Sequence, residues 1–567
     1  YQRRVRGIMM DFKQLFDASY QQIIRNSDGS QISGLKMLWV DDVTLKILNQ
    51  LQTQSQLQKD EIALTQKIDS KSFPPAPHII SIFFVKPSFP NLEIIENFLK
   101  DPKKRARSVH LCFSSPVTDQ NLEQLAQADV NSLIKSVKQV NLDFIPILPN
   151  FAIADDVKSL VLSLQMYPQS IRFQQGFPKT QQFAQQLAQF AKYNKPNLNQ
   201  NQHLEIVIVD QQSLQDEQML FSTNFLQIAQ DLHEICDAGR LKLKSGESAQ
   251  LNYFTMSPKM GQLLLMDMQN AEAEGNQVVR DRLAFDKQDK EDIRQTEKED
   301  FIKYIAEGRQ VTNYAKEVGT EYLIITLIFR LQQQLLTGKV QKLEDLYNIQ
   351  DLKVKFGKLD QKSTDLKHQI AKLAGYGFLS LSYLQYLVGA KQQILNRKYL
   401  ENTLDLLINF SPQTGDFLTE LKVRLNNGFS FKPNFNWELL QEQALVSKAQ
   451  IAAQRIFNQS GLGRLVKQGD QQNAYEYRRH LLDLAQAALS FKIPNQLFPV
   501  VEEFRQDQSE LVFSQEIPTV IIYVVGGARY DDGIEMAAFQ DGNVMNQVAS
   551  HCFVISDQIL GLKNWMQ

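Results

Sequence analysis

At 567 residues the chain is long enough for roughly three or four domains of about 150 residues each. Hydrophobic residues make up 43% and charged residues 22%, the balance of a globular protein; a net charge of −2 argues against whole-chain polybasic attraction to nucleic acid or anionic lipid. Cys112, Cys236 and Cys552 are scattered and form no CxxC pair, which argues against a disulfide framework or a Cys-type zinc site.

The first 240 residues alternate strand-like and helix-like patterns. "LKMLWV" (35–40), "HIISIFFV" (78–85), "SVHLCFS" (108–114) and "FIPIL" (144–148) are short apolar runs of strand length. In "NLEQLAQADVNSLIKSVKQV" the set Leu122, Leu125, Ala126, Leu133, Ile134, Val137 and Val140 recurs at helical spacing and predicts one amphipathic helix. "SLVLSLQMYP" (159–168) predicts a helix stopped before Pro168, "SIRFQQ" (170–175) an edge strand, and "TQQFAQQLAQFAKY" (180–193) a helix with Phe183, Leu187 and Phe190 near one stripe. "HLEIVIVD" (203–210) reads as a buried strand ending in Asp210. Such alternation predicts parallel sheets covered by helices.

From about residue 245 the pattern turns helical and charged, with breaks near 411–416 and 426–436. Strand signals return in "IPTVIIYVV" (517–525) and "HCFVIS" (551–556). A chain that opens α/β, turns helical and closes α/β predicts a final segment that completes an earlier sheet. The apolar runs at 322–329 and 378–390 fall short of the roughly 20 residues that cross a bilayer. The opening residues, from Tyr1, carry no signal-peptide pattern.

The motifs of catalysis are missing. There is no Walker A string; Gly526-Gly527 lacks dinucleotide spacing, and "GLGR" (461–464) lacks its third glycine. His78, His110, His203, His233, His368, His480 and His551 form neither HExxH nor HxH, and "DLHEICDAG" (231–239) reads as a helix end rather than a metal site. The nucleophile elbow G-x-S-x-G is absent. Asp41-Asp42 and Asp155-Asp156 sit at strand or loop ends, where helix capping is the simpler role. The basic stretch "KDPKKRARSVH" (100–110) reads as a solvated loop or helix end. A long chain without a catalytic grouping leans toward binding or scaffolding.

Four stretches together resemble the SM family, the Sec/Munc-type proteins that bind syntaxins and SNARE complexes. They are "LKMLWVDDVTLKIL" (35–48), the extended run 100–147, "SLQMYPQSIRFQ" (163–174) with its Ile-Arg-aromatic core, and the closing "PTVIIYVVGGARYDD" (518–532). The loop after "IVIVD" keeps only Asp210 of the family's pattern. The resemblance implies an α/β plus all-α fold: an arch-shaped three-domain chain with two parallel-sheet α/β domains and a large helical insertion. Domain 1 would span 1–150, domain 2 would combine 151–245 with 515–567, and the helical domain 3 would occupy 246–514.

The same resemblance implies no catalytic residue, cofactor or metal. It implies a pocket for a short N-terminal syntaxin peptide at Val117, Leu122, Ile134, Val137 and Gln139, with core packing as the plainer role for Leu122, Ile134 and Val137. It places Asp41 and Lys46 in an arch cavity that grips SNARE helices. Thr53 and Gln66 stand where synaptic members carry a lysine and a glutamate, so that closed-syntaxin grip is not expected. The expected partners are a syntaxin-type SNARE and the assembled SNARE complex, without nucleic acid. The expected setting is cytoplasmic, recruited peripherally to endosomal and Golgi membranes. Alternatives are an exocytic member at the plasma membrane, a tethering-complex subunit, or a diverged α/β enzyme using Asp41-Asp42 or Gly526-Gly527.

Overall fold

In the computed structural model the described residues are 11–26, 28–68, 76–101, 106–200, 202–214, most of 222–277, 480–504 except 491, 518–545 and 551–561, with scattered positions from 328 to 440. Most of the expected helical domain 246–514 therefore lies outside the described residues, as do 102–105 of the basic stretch, "GLGR", and Cys236 and Asp237 of "DLHEICDAG". The chain divides into two compact units: Tyr1–Gln211 with Asn436–Ala444 and Leu481–Ile559, and Gln212–Phe435 with Leu445–His480 and Leu560–Gln567.

Among the described residues the first unit holds two sheets. One is a five-stranded parallel sheet made of β1 (Lys36–Val40), β2 (Ile62–Lys67), β3 (Ala76–Val85), β4 (Ala106–Phe113) and β5 (Ile134–Gln139), in the order β2-β1-β3-β4-β5. Helices α2 (Asp42–Leu51), α3 (Gln54–Lys59), α4 (Phe89–Lys100) and α5 (Asp119–Ala128) connect and cover the strands, and α1 (Phe12–Ile24) precedes β1. The apolar run in β3 exists because both faces are covered: from Ser81 to Val85 every residue is buried. Trp39 stacks on Phe83 at 5.9 Å, and Phe98 of α4 meets Phe83 edge-on at 5.2 Å, the geometry that ring quadrupoles favour.

The second sheet has the order β6-β7-β13-β12-β9-β8. Its strands are β6 (Ile145–Leu148), β7 (Phe151–Ile153), β8 (Ser170–Phe173), β9 (Leu204–Asp210), β12 (Thr519–Val525) and β13 (His551–Ser556); only the β6–β7 hairpin is antiparallel. The closing strand pairs with β9 from Thr519↔Leu204 through Val525↔Asp210, so a strand some 300 residues later completes the sheet. "FIPIL" supplies β6 of this second sheet, not a further strand of the first. Helices α6 (Lys158–Leu164), α7 (Pro178–Asn194) and α11 (Tyr530–Met545) belong to it. α6 ends earlier than the Pro168 signal predicts, because Gln165 already turns left-handed at φ 56°. α7 buries Thr180, Ala184, Leu187, Ala188 and Ala191; Phe183 and Phe190 flank that face half-buried. Phe12 of α1 lies 5.3 Å from Phe144 and 5.0 Å from Phe553, pinning the N-terminal helix over the second sheet.

α11 packs so closely on β7 that one of its residues has no room for a side chain. A Cβ at Gly533 would lie 2.6 Å from Phe151 Cβ and 2.9 Å from its Cγ. Gly533→Ala gains about 1 kcal/mol of helix propensity, yet the clash is expected to outweigh it and leave a net loss of about 1–2 kcal/mol. Urea unfolding of parent and variant measures the sign; a stabilised variant would show that this contact yields.

The second unit contributes, among the described residues, α8 (Phe225–His233), β10 (Arg240–Lys242), β11 (Ser248–Gln250) and α9 (Pro258–Leu265). β10 and β11 pair antiparallel. Asn224 fixes the start of α8, its Oδ1 accepting from Leu226 and Gln227 N–H groups while its Nδ2 reaches Leu265 and Met266 carbonyls. α10 (His480–Leu489) begins the return toward the second sheet in sequence.

Candidate partner-binding surface

The segment 119–140 is not one helix. Asp129 ends α5, and its two carboxylate oxygens accept from Leu133 N at 2.8 Å and Ile134 N at 2.9 Å. Ser132 between them adopts φ 51°, so the backbone turns sharply and leaves as a strand. The helical spacing of Leu122, Leu125, Leu133, Ile134 and Val137 is a coincidence of two elements, and the period-2 burial of "IKSVKQ" is the signal that the longer pattern hides.

The register slips between Val109 and His110, setting Ile134 opposite Val109, Val137 opposite Leu111 and Gln139 opposite Phe113. Paired residues of neighbouring strands share a face, so this bulge brings Ile134, Val137 and Gln139 onto the side that α4 and α5 cover. Val117 in the β4–α5 loop, Leu122 in α5 and Ile134 at the start of β5 are half-buried against the core of Leu111, Phe113 and Leu125. Val137 is 45% exposed, while exposed Gln139 donates Nε2 to Asn141 Oδ1 at 2.7 Å. The five positions thus collect at one corner of the first sheet: an apolar floor that is partly core, with Val137 open to solvent on the terminal strand.

The reverse face of β5 is tied down by polar contacts. His110 Nδ1 lies 2.8 Å from Ser136 Oγ, and Lys138 Nζ donates to the Gln22 carbonyl at 2.8 Å and to that of Arg25, at the carboxyl end of α1. Burial, with the Lys138 and Lys135 ammonium groups beside it, holds the His110 imidazole down at about 4. The folded chain therefore binds this proton less readily than the unfolded chain. The stability from neutral His110 is complete above about pH 6.5 and is lost as pH falls toward 4. The expected loss between pH 7 and 4.5 is about 1–2 kcal/mol, reduced from the full shift for partial solvent access. Urea unfolding across this range should give a flatter pH dependence in His110→Gln; parallel curves would exclude the histidine as the cause.

Asp41 and Lys46 sit at and just after the β1–α2 corner. Asp41 is 8% exposed. Its Oδ1 accepts from Thr44 N at 2.8 Å, and its Oδ2 from Lys86 N at 2.6 Å and Asn91 Nδ2 at 2.8 Å. Thr44 Oγ1 returns the cap by accepting from Asp41 N at 3.0 Å. The carboxylate therefore joins β1, α2, the β3–α4 loop and the first turn of α4, and its contribution to any surface is to place the helix that carries half-buried Lys46. Thr53 caps α3 in a second capping box with Gln56, and Gln66 lies in the terminal strand β2.

The Gly526-Gly527 turn holds no phosphate-like cradle. Gly526 N donates to both carboxylate oxygens of Asp557 at 3.0 Å, and its carbonyl accepts from Gln558 Nε2 at 2.9 Å. At φ 97° a Cβ there would also lie 2.8 Å from Gln211 Oε1. Among the described residues no group of three or more His, Cys, Asp or Glu is placed to hold a metal ion. No described helix is long and apolar enough to cross a membrane.

The family model described as the Sec1 family matches residues 36–267, which contain the whole first sheet and the entry into the second unit. Residues 36–267 are thus similar to the Sec1 family. The matched stretch includes the strands that build the corner described above. A vacuolar protein sorting-associated protein 45 of Dictyostelium discoideum is 29% identical over 157 residues, 28% of this chain and 26% of that protein. The human protein of the same name is 28% identical over 117 residues, 21% of this chain and 20% of its own. The aligned stretches thus span about a quarter or less of those relatives' lengths. The fold likeness runs further. A solved structure described as the SM protein Vps45 in complex with the Qa SNARE Tlg2 superposes with a TM-score of 0.71 at 15% identity, over 98% of this chain and 97% of that one. One of Sly1p with an N-terminal peptide of Sed5p gives 0.63 at 14%, over 98% of each. The chain thus has the α/β plus helical SM fold.

Proposed function

We propose that the protein is a SNARE-binding regulator of vesicle docking and fusion, acting by binding rather than catalysis. The observation that carries this reading is the α5–β5 corner, which leaves a half-buried apolar floor and an exposed valine on a terminal strand of the Sec1-family region. Val117, Leu122, Ile134, Val137 and Gln139 would receive a short N-terminal peptide of a Qa-SNARE. The solved relatives in complex with Tlg2 and with a Sed5p peptide support that class of partner. Asp41 and Lys46 would serve a second contact with SNARE helices, Asp41 through the placement of α2. An amphipathic partner helix would be read at i, i+3, i+4 and i+7 spacing, and the tethered peptide would raise its local concentration.

The endosomal and trans-Golgi branch is favoured over the exocytic one. Relatives named vacuolar protein sorting-associated protein 45 match at 27–30% identity, whereas the protein transport protein sec1 of Dictyostelium discoideum matches at 22%. Membrane association would come through the partner. Binding of the full chain to a panel of Qa-SNARE cytoplasmic regions tests the branch. Tightest binding to an endosomal or Golgi Qa-SNARE supports it; tightest binding to a plasma-membrane one would move the protein to the exocytic branch.

A further inference from the structure

The Ile-Arg-Phe core of residues 171–173 plays no part in the corner described above, yet it organises the far edge of the second sheet. β8 ends that sheet's strand order, and its outer edge is covered by the segment that follows α10. Phe173 N donates to the Pro499 carbonyl at 3.3 Å, Val501 N to Ile171 O at 3.0 Å and Gln175 N to Leu497 O at 2.9 Å. The pairing is antiparallel about Arg172↔Val500, and Pro499 has no N–H to add to it. Backbone bonding alone is therefore thin for a segment that seats fully buried Phe498.

Arg172 supplies the rest. The residue is 8% exposed; Nε donates to Glu205 Oε1 at 2.6 Å, while Nη1 donates to Asn495 Oδ1 at 2.6 Å and to the Phe498 carbonyl at 3.1 Å. Ser170 Oγ adds a bond to the same Glu205 oxygen at 3.0 Å. One planar fork thus joins β8, β9 and the returning segment. Phe498 in turn lies 6.0 Å from Trp437, and Phe504 stacks on Tyr167 at 5.6 Å.

We propose that Arg172 is a clasp: its fork seats segment 493–504 on the edge of β8, and without it that segment leaves the sheet as a unit. Two contrasting roles of the guanidinium can be separated. Neutralising Glu205 needs only positive charge, which Arg172→Lys keeps. Seating the segment needs the second nitrogen, which lysine lacks. Asn495→Ala removes one acceptor from the fork and leaves the pair with Glu205 intact.

Hydrogen exchange of the full chain, read at the Phe173, Gln175 and Val501 amides, tests the proposal. Arg172→Lys is expected to speed exchange at all three by about tenfold or more, with Val207 and Ile521 in the sheet's interior unchanged. Asn495→Ala should act at the same amides, less strongly, and Trp437 emission should shift to the red in both variants. Parent-like rates at the three amides in both variants would overturn the clasp. So would equal acceleration at Val207 and Ile521, which would make Arg172 an ordinary core ion pair.

Discussion

Val137→Glu is expected to weaken binding of a Qa-SNARE N-terminal peptide by about tenfold or more, equivalent to about 1.4 kcal/mol. Val137 is 45% exposed and faces the side of β5 where Val117, Leu122 and Ile134 form the apolar floor. A carboxylate there would lose apolar contact area and would stay ionised against a partner it cannot pair with. Because the residue is largely solvated in the free protein, folding stability should change by no more than about 0.5 kcal/mol. Calorimetry and thermal unfolding of the same preparation separate the two effects. Leu122→Glu makes a useful companion. Leu122 is half-buried against the core, so its loss of binding should come with about 1–2 kcal/mol of destabilisation. Unchanged peptide affinity in Val137→Glu would remove this corner from the binding surface.

Asp41→Ala is expected to cost about 2–4 kcal/mol of stability. Two donors, Thr44 N and Lys86 N, lose their acceptor at once, Asn91 Nδ2 keeps only the Lys86 carbonyl, and α2 loses its N-cap. A lost cap costs about 1 kcal/mol, and each donor left unsatisfied in a poorly solvated site adds about 1–3 kcal/mol before relaxation. Asp41→Asn, which keeps one carbonyl oxygen for the cap, should lose roughly half as much. Lys46→Ala, at a half-buried position that leaves the cap in place, should cost less, about 0.5–1 kcal/mol. Urea denaturation of the three variants gives the ranking. A neutral Asp41→Ala would mean that the carboxylate does not hold the β1–α2 corner together.

The strands with continuous apolar runs were legible in the sequence because they are buried on both faces. β1, β3, β4, β9, β12 and β13 are of this kind, and the partnership of β12 with β9 follows from matching buried runs far apart in the chain. The elements that escaped are those whose pattern is short or polar. β2 is an outer strand with only Ile62 buried, and β7 has three residues. β5 alternates, but a bulge and the preceding α5 combine to imitate a single helix until Asp129 is seen capping both Leu133 and Ile134. At the site, the sequence marks Val117, Leu122, Ile134, Val137 and Gln139 through resemblance, while their shared face depends on the bulge, a feature that no periodicity reports. Asp41 carries the mark of a helix cap in its spacing to Thr44, and its second role, in binding the β3–α4 loop, depends on residues 45 and 50 positions away.

Titrating the chain with a purified Qa-SNARE cytoplasmic region, with and without that SNARE's N-terminal peptide, tests the central claim most directly. The account predicts saturable binding to the intact SNARE that weakens when the N-terminal peptide is deleted and weakens equally in Val137→Glu. Absence of binding to any Qa-SNARE, or binding indifferent to both the peptide and Val137, would contradict it.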